Sequence, residues 1–261
     1  MFNLVKMSYN ACDEPAKRWY DTKPKNVVKV KLKRCCAALL EIARGGPRVT
    51  DSRNGWVCRT AAWNGHEDCL RAAHALGYRW DAMTCQAAAA GGHLDCLRYA
   101  RDNGCPWNAN TCRWAARNGH LDCLEYALKA GCPTAGNACD LAAGRGRLDC
   151  LRYLHRTAVY DWDRITCILA AKNGHVDCLE YMRDNGCPWN SLVTYWAAIK
   201  GHLECMRYAH EHGCPWHEKT CFWAAVYGHM DCLAYAVANG CQWDEDARIW
   251  AADYEHLREY L

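Results

Sequence analysis

The chain has 261 residues, a formal net charge of +3, 21 cysteines and 13 tryptophans. No run approaches the ~18 apolar residues that a membrane span requires. The opening MFNLVKMSYNACDEP lacks the apolar core of a signal peptide, so a soluble, unsecreted protein is expected.

Charge is unevenly placed. Residues 1–57 hold 12 Lys and Arg against 5 Asp and Glu, which leaves the rest of the chain slightly acidic. Residues 1–32 form a basic lead with Lys17, Arg18, Lys23, Lys25, Lys29 and Lys31, expected to be irregular or partly helical. Residues 33–57 read as a capping half-repeat, because Leu40-Glu41-Ile42-Ala43-Arg44 parallels Leu97-Arg98-Tyr99-Ala100-Arg101. A loop longer than those between later units follows Pro47.

Residues 58–247 are seven copies of one unit, seen most plainly in Cys85 to Thr111, CQAAAAGGHLDCLRYARDNGCPWNANT. Six copies are 27 residues long and the fourth is 28. A period of this size marks stacked supersecondary units that cannot bury their own apolar faces alone. Residues 248–261 are a partial copy whose Asp253, Glu255, Arg258 and Glu259 suit a polar cap.

Each copy divides into two helices. In Thr111 to Arg117 the apolar Cys112, Ala115 and Ala116 recur three and four apart, the spacing of one buried helical stripe. Asn118-Gly119 ends that helix, and a second begins at His-Leu-Asp-Cys, burying Leu121, Cys123, Leu124, Tyr126 and Ala127. Its first-turn acid, such as Asp95 or Asp122, opposes the positive end of the helix dipole. The Ala-Ala pair keeps the first helix thin, so that neighbouring units approach closely.

Eighteen of the cysteines occupy three fixed positions of the repeat. Equivalent residues of stacked helices lie ~10 Å apart, beyond the ~7 Å Cα limit of a disulfide, so the rows cannot be bridged along themselves. Reduced, buried thiols in an intracellular, reducing compartment such as the cytoplasm or nucleus are expected. His-x-x-Cys recurs, as in His93/Cys96 and His120/Cys123, but no Cys-x-x-Cys knuckle exists to complete a zinc site. No metal and no cofactor are expected. Every Cys-His pair is duplicated and no glycine-rich phosphate loop, GxSxG or HExxH occurs, so no catalytic residue is assigned and the protein is not expected to be an enzyme. Most tryptophans are periodic too. Trp80, Trp107, Trp189, Trp216 and Trp243 share a corner after the second helix, and Trp114, Trp196, Trp223 and Trp250 share the third position of the first, which favours packing over base stacking.

AARNGHLDCLEYALKAGCP resembles the second half of an ankyrin repeat in its alanine pair, histidine and both glycines. The fold implied is all-α: an α-solenoid of stacked helix-turn-helix, ankyrin-like repeats with shortened or absent β-hairpin fingers. The repeats lack six residues of the family's usual length, and Thr-Cys-x-Trp replaces Thr-Pro-Leu-His, so helix entry must be capped differently. The variant GCPWN…TC..AA..GHLDCLRYA is also similar to short ankyrin-like arrays of giant DNA viruses of amoebae, and of some algae and oomycetes. In such arrays the resemblance implies engagement of host proteins, in some through an F-box; residues 1–57 show no F-box-like sequence.

The copies differ most at their second and sixth positions, four apart on one helical face. In ankyrin arrays this is the concave, partner-binding surface. From the fifth repeat on it turns apolar, through Ile168, Tyr195, Ile199, Phe222, Val226 and Ile249. Earlier repeats present Arg59, Arg113 and Arg117, suited to an acidic segment. The function expected is non-catalytic binding of another protein by a monomer. The alternatives are a nucleic-acid-associated protein using the basic lead, against which the acidic repeats weigh, and a zinc- or redox-responsive protein using the cysteines.

Overall fold

The computed structural model describes residues 2–3, 29–30, 55–133, 136–157, 162–254, 257 and 260. The chain divides into two compact units, Met1–Ala135 and Gly136–Leu261. The first contains α1 (Gly55–Trp63), α2 (Glu67–Ala75), α3 (Ala82–Gly91), α4 (Leu94–Asp102), α5 (Ala109–Asn118) and α6 (Leu121–Lys129). The second contains α7 (Ala138–Ala143), α8 (Leu148–Arg156), α9 (Arg164–Lys172), α10 (Val176–Asp184), α11 (Leu192–Ile199), α12 (Leu203–Glu211), α13 (Thr220–Val226), α14 (Met230–Ala238) and α15 (Glu245–Ala252).

Within each unit the helices form two layers, the stacking of an α-solenoid. First helices pack on first helices (α1, α3, α5; and α7, α9, α11, α13, α15), and second helices on second. The corners between repeats contain no strand among the described residues, so the fingers are stubs. In the basic lead Phe2–Asn3 pairs with Lys29–Val30 as a short antiparallel ladder, β1 and β2, and the rest of residues 1–32, expected to be irregular or partly helical, lies outside the described residues. The half-repeat at Leu40–Arg44 lies outside the described residues.

The repeat sequence explains the layers. Ala61, Ala62, Ala88, Ala89, Ala115 and Ala116 have no exposed surface, so the first helices meet over bare Cβ atoms. On the second helices Leu70, Leu97, Leu124, Leu151, Leu179 and Leu233 are fully buried, with Met206 at the same position. Each such side chain contributes about 2 kcal/mol relative to exposure, and no single repeat could bury it alone. The middle cysteines share this layer: burial pushes the thiols of Cys96, Cys123, Cys150 and Cys205 up to about 12, which keeps them protonated and inert.

The missing Thr-Pro-Leu-His is replaced at the corner. Asp81 and Asn108 accept from the N–H groups of Met83 and Asn110 at 3.0 Å, capping α3 and α5. Asp163 and Thr166 form a reciprocal capping box on α9.

The recurrent histidine has a different task. It stands at the N-cap of every second helix but that of the fourth repeat, where Arg147 takes its place, yet makes no side-chain cap bond. Its ring instead reaches back to the preceding repeat, where Nε2–H of His120 donates to Ala90 O at 3.1 Å and that of His229 to Ile199 O at 3.0 Å. Burial holds His175, His202 and the separate His74 below the usual imidazole range. A depressed folded pKa favours the neutral ring, so the stability these groups add is complete above the unfolded value of about 6.5 and is lost as pH falls through the lower folded values. Thermal melts are expected to shift down between about pH 7.5 and pH 5.5; an unchanged or raised Tm at the lower pH would contradict this.

Corner tryptophans pack between repeats. His74 stacks on Trp80 at 3.8 Å between centroids, with Tyr99 of the next repeat edge-on. His155, Trp162 and Tyr181 repeat this motif, as do His210, Trp216 and Tyr235. Where arginine replaces histidine, Arg101 and Arg183 lie over Trp107 and Trp189, each at 4.5 Å. At the C-terminal end Trp243 donates Nε1–H to Tyr260 O at 2.8 Å, and Leu257 is buried.

Candidate partner-binding surface

The face that varies between copies lies along the first helices, and the two units present it differently. In the first unit Arg59, Arg113 and Arg117 are half-buried. Each is engaged: Arg59 Nη2 lies 3.3 Å from Asp81, Arg113 Nη1 donates to Asn110 Oδ1 at 3.0 Å, and the Arg117 guanidinium sits 4.7 Å from the Trp114 ring. Arg59 lines a groove of about 270 Å³ together with Trp63, Met83, Gln86, Ala90 and Trp114. Trp63 and Met83 are its most open walls, at 52% and 44% exposure. Arg113 and Arg117 are not among its lining residues.

In the second unit the six apolar positions do not form one even stripe. Ile168, Tyr195 and Phe222 are half-buried. Tyr195 packs against His217 at 4.6 Å and Phe222 against Trp223 at 5.0 Å. Ile199 is buried, at 6% exposure, and so belongs to the packing between repeats rather than to the offered surface. Val226 and Ile249, at 39% and 66%, are open. Tyr227 and Tyr254, at 55% and 42%, are open too, just past the ends of α13 and α15.

Several of these residues escape a reading confined to the second and sixth positions. Trp56, Met83 and Ile165, each two residues before the opening cysteine, are 46%, 44% and 51% exposed. The signal was available. A residue three before the second position shares its helical face, and the helices start early enough to include it.

The opposite, second-helix face carries paired charge. A groove there is lined by Arg98, Asp122, Glu125 and Lys129, with Lys129 Nζ 2.8 Å from Glu125. Exposed pairs of this kind contribute little. Among the described residues no group of three or more His, Cys, Asp or Glu is placed to hold a metal ion, and no helix is long and apolar enough to cross a membrane.

A family model of ankyrin repeats in three copies matches residues 167–247, and a second ankyrin model matches residues 85–128. The chain carries ankyrin repeats. Among solved structures, the human ASB11 ankyrin repeat domain is similar in fold, with a TM-score of 0.54 at 20% identity, over 60% of this chain and 84% of that one. No curated protein matches. Ankyrin repeats are protein-interaction modules, and the fold is typically a non-catalytic scaffold.

Proposed function

We propose that this ankyrin-repeat chain is a non-catalytic scaffold that binds a partner protein on the face of its first helices. The observation that carries the reading is the open apolar area of Val226, Tyr227, Ile249 and Tyr254 on and beside α13 and α15. Exposed apolar area of this kind marks protein interfaces, and aromatic anchors concentrate binding energy. In the first unit the groove of Arg59, Trp63 and Met83 offers a second foothold, suited to an acidic segment carrying an apolar side chain. The 18 described cysteines are all free, which supports action in a reducing compartment. The similarity of the short repeats to viral arrays supports a host protein as the partner.

The test compares the parent chain with Val226→Glu/Ile249→Glu in capture from cell extract, with thermal melts in parallel. Both side chains are open, so the Tm should hold, while affinity for the captured partner falls at least about tenfold, the loss of ~1.4 kcal/mol. Retention of every partner by the folded double variant would sink the reading for the second unit, and Trp63→Ala poses the same question for the first.

A further inference from the structure

The three cysteine rows are not equivalent. Middle-row thiols neighbour one another across repeats, as Cys96 does Cys69 and Cys123, but the first and third rows meet inside a single repeat. In the fifth repeat the Cys167 thiol donates to Cys187 Sγ at 3.1 Å, across 20 residues of sequence. Cys85 and Cys105, Cys112 and Cys132, and Cys221 and Cys241 stand at the same places of their repeats, each pair again 20 residues apart, and the Cys221 thiol donates to the backbone oxygen of Cys241 at 3.6 Å. Cys105, Cys132 and Cys187 each pass their own S–H to a corner carbonyl, Asp81 O, Asn108 O and Asp163 O, at 3.3 Å. At Cys187 that arrangement leaves the sulfur lone pairs to accept from Cys167.

The Cys167/Cys187 geometry points to a two-thiol modification site, repeated by register at Cys85/Cys105, Cys112/Cys132 and Cys221/Cys241, at which a two-electron peroxide oxidant converts adjacent thiols into intra-repeat disulfides. Closing from 3.1 Å to a bond of about 2.05 Å needs roughly 1 Å of side-chain movement. In the reaction one sulfur, as thiolate, attacks a peroxide oxygen; the O–O bond breaks and hydroxide leaves, taking a proton to become water. The second sulfur then attacks the resulting sulfenic acid; the S–O bond breaks, S–S forms, and a second water leaves. Two thiols and one hydrogen peroxide thus give one disulfide and two waters. Cys167 and Cys187 have no exposed surface, and the hydrogen bond from Cys167 together with burial pushes the Cys187 thiol up, so the thiolate forms only as the corner opens and the reaction is slower than at an open thiol. Each product ties a first helix to the corner that ends its own repeat.

The chain contains its own controls. Cys58 faces the backbone oxygen of Tyr78, and Cys214 sits in a repeat opened by Thr194, so neither has this partner. Thr194 is fully buried and donates to Pro215 O at 3.1 Å, showing that threonine fits the opening position. Cys167→Thr is therefore the variant of choice.

The folded full chain is treated with hydrogen peroxide, then unfolded, alkylated, digested and mapped by mass spectrometry. Four crosslinks in the stated pairs are expected, each with loss of two hydrogens, while Cys69, Cys96, Cys123, Cys150, Cys178, Cys205 and Cys232 stay alkylatable. Thiol reductant should reverse the links, and Cys167→Thr should lose one link and keep three. Treated protein should melt higher than untreated. The proposal is overturned if links join other cysteines, if all rows oxidise alike, or if the pairs stay alkylatable under peroxide that consumes the thiols of the unfolded chain.

Discussion

Gly92→Ala is expected to destabilise the protein by about 2–5 kcal/mol, whereas Gly104→Ala, in the same repeat, costs only about 1–2 kcal/mol. Both glycines sit in the left-handed region, with φ +76° and +82°, so both substitutions carry backbone strain. The difference lies in what a Cβ would meet. At Gly92 it would fall 2.4 Å from His120 Nδ1, on a ring fixed by its 3.1 Å bond to Ala90 O. At Gly104 nothing lies within 4 Å. The alanine at position 92 must displace the ring and break its bond to the preceding repeat, adding an overpacking cost to the strain. Urea denaturation of the two variants measures the gap; equal losses would mean that φ alone sets the cost and that the histidine yields freely.

Those two glycines look alike in the sequence, where each simply ends a helix. Only stacking separates them, because the ring beneath Gly92 belongs to the next repeat. The same boundary runs through the other readings. Helices, the buried Cys123, Leu124 and Ala127 of the second-helix stripe and the acidic first turns follow from local periodicity and were legible, whereas Leu121 and Tyr126, expected to be buried, are only half-buried. The stub fingers followed from repeat length. Contacts between rows were not legible: Cys167 and Cys187 lie 20 residues apart, and their meeting depends on how the corner folds back over the first helix. Trp162 was missed as a corner residue because the fourth repeat's extra residue shifts its register, yet its stack on His155 matches that of Trp80 on His74.

The exposure of the proposed binding face was half legible. Comparing copies finds positions that vary, and variation usually signals solvent, but a position can also vary because its neighbours differ in size. Lys172, Ile199 and Val226 occupy the same place in successive repeats. Lys172 extends its ammonium over the Trp196 ring at 4.2 Å, Ile199 is 6% exposed, and Val226 is 39% exposed. Burial there depends on the side chains that neighbour each copy, and no single copy's sequence contains that information.

Ile199→Glu is accordingly expected to cost about 3–6 kcal/mol, while Ile249→Glu stays within about 0.5 kcal/mol of the parent. A glutamate buried without a partner has its pKa raised by ~3–5 units and stays protonated at neutral pH, which costs ~1.36 kcal/mol for each unit between ~4.3 and the working pH, and the site also loses its apolar contacts. Ile249, at 66% exposure, gives a carboxylate direct access to water. The loss at position 199 has a pH signature. A carboxyl whose folded pKa is raised is least destabilising where it is protonated in both states, below the unfolded value of about 4.3, and most destabilising above the raised folded value. Urea titrations at neutral and acidic pH, each referenced to the parent, should show the deficit of Ile199→Glu shrinking toward acid. A deficit that is small at neutral pH would place Ile199 on the open face after all and return it to the partner-binding surface.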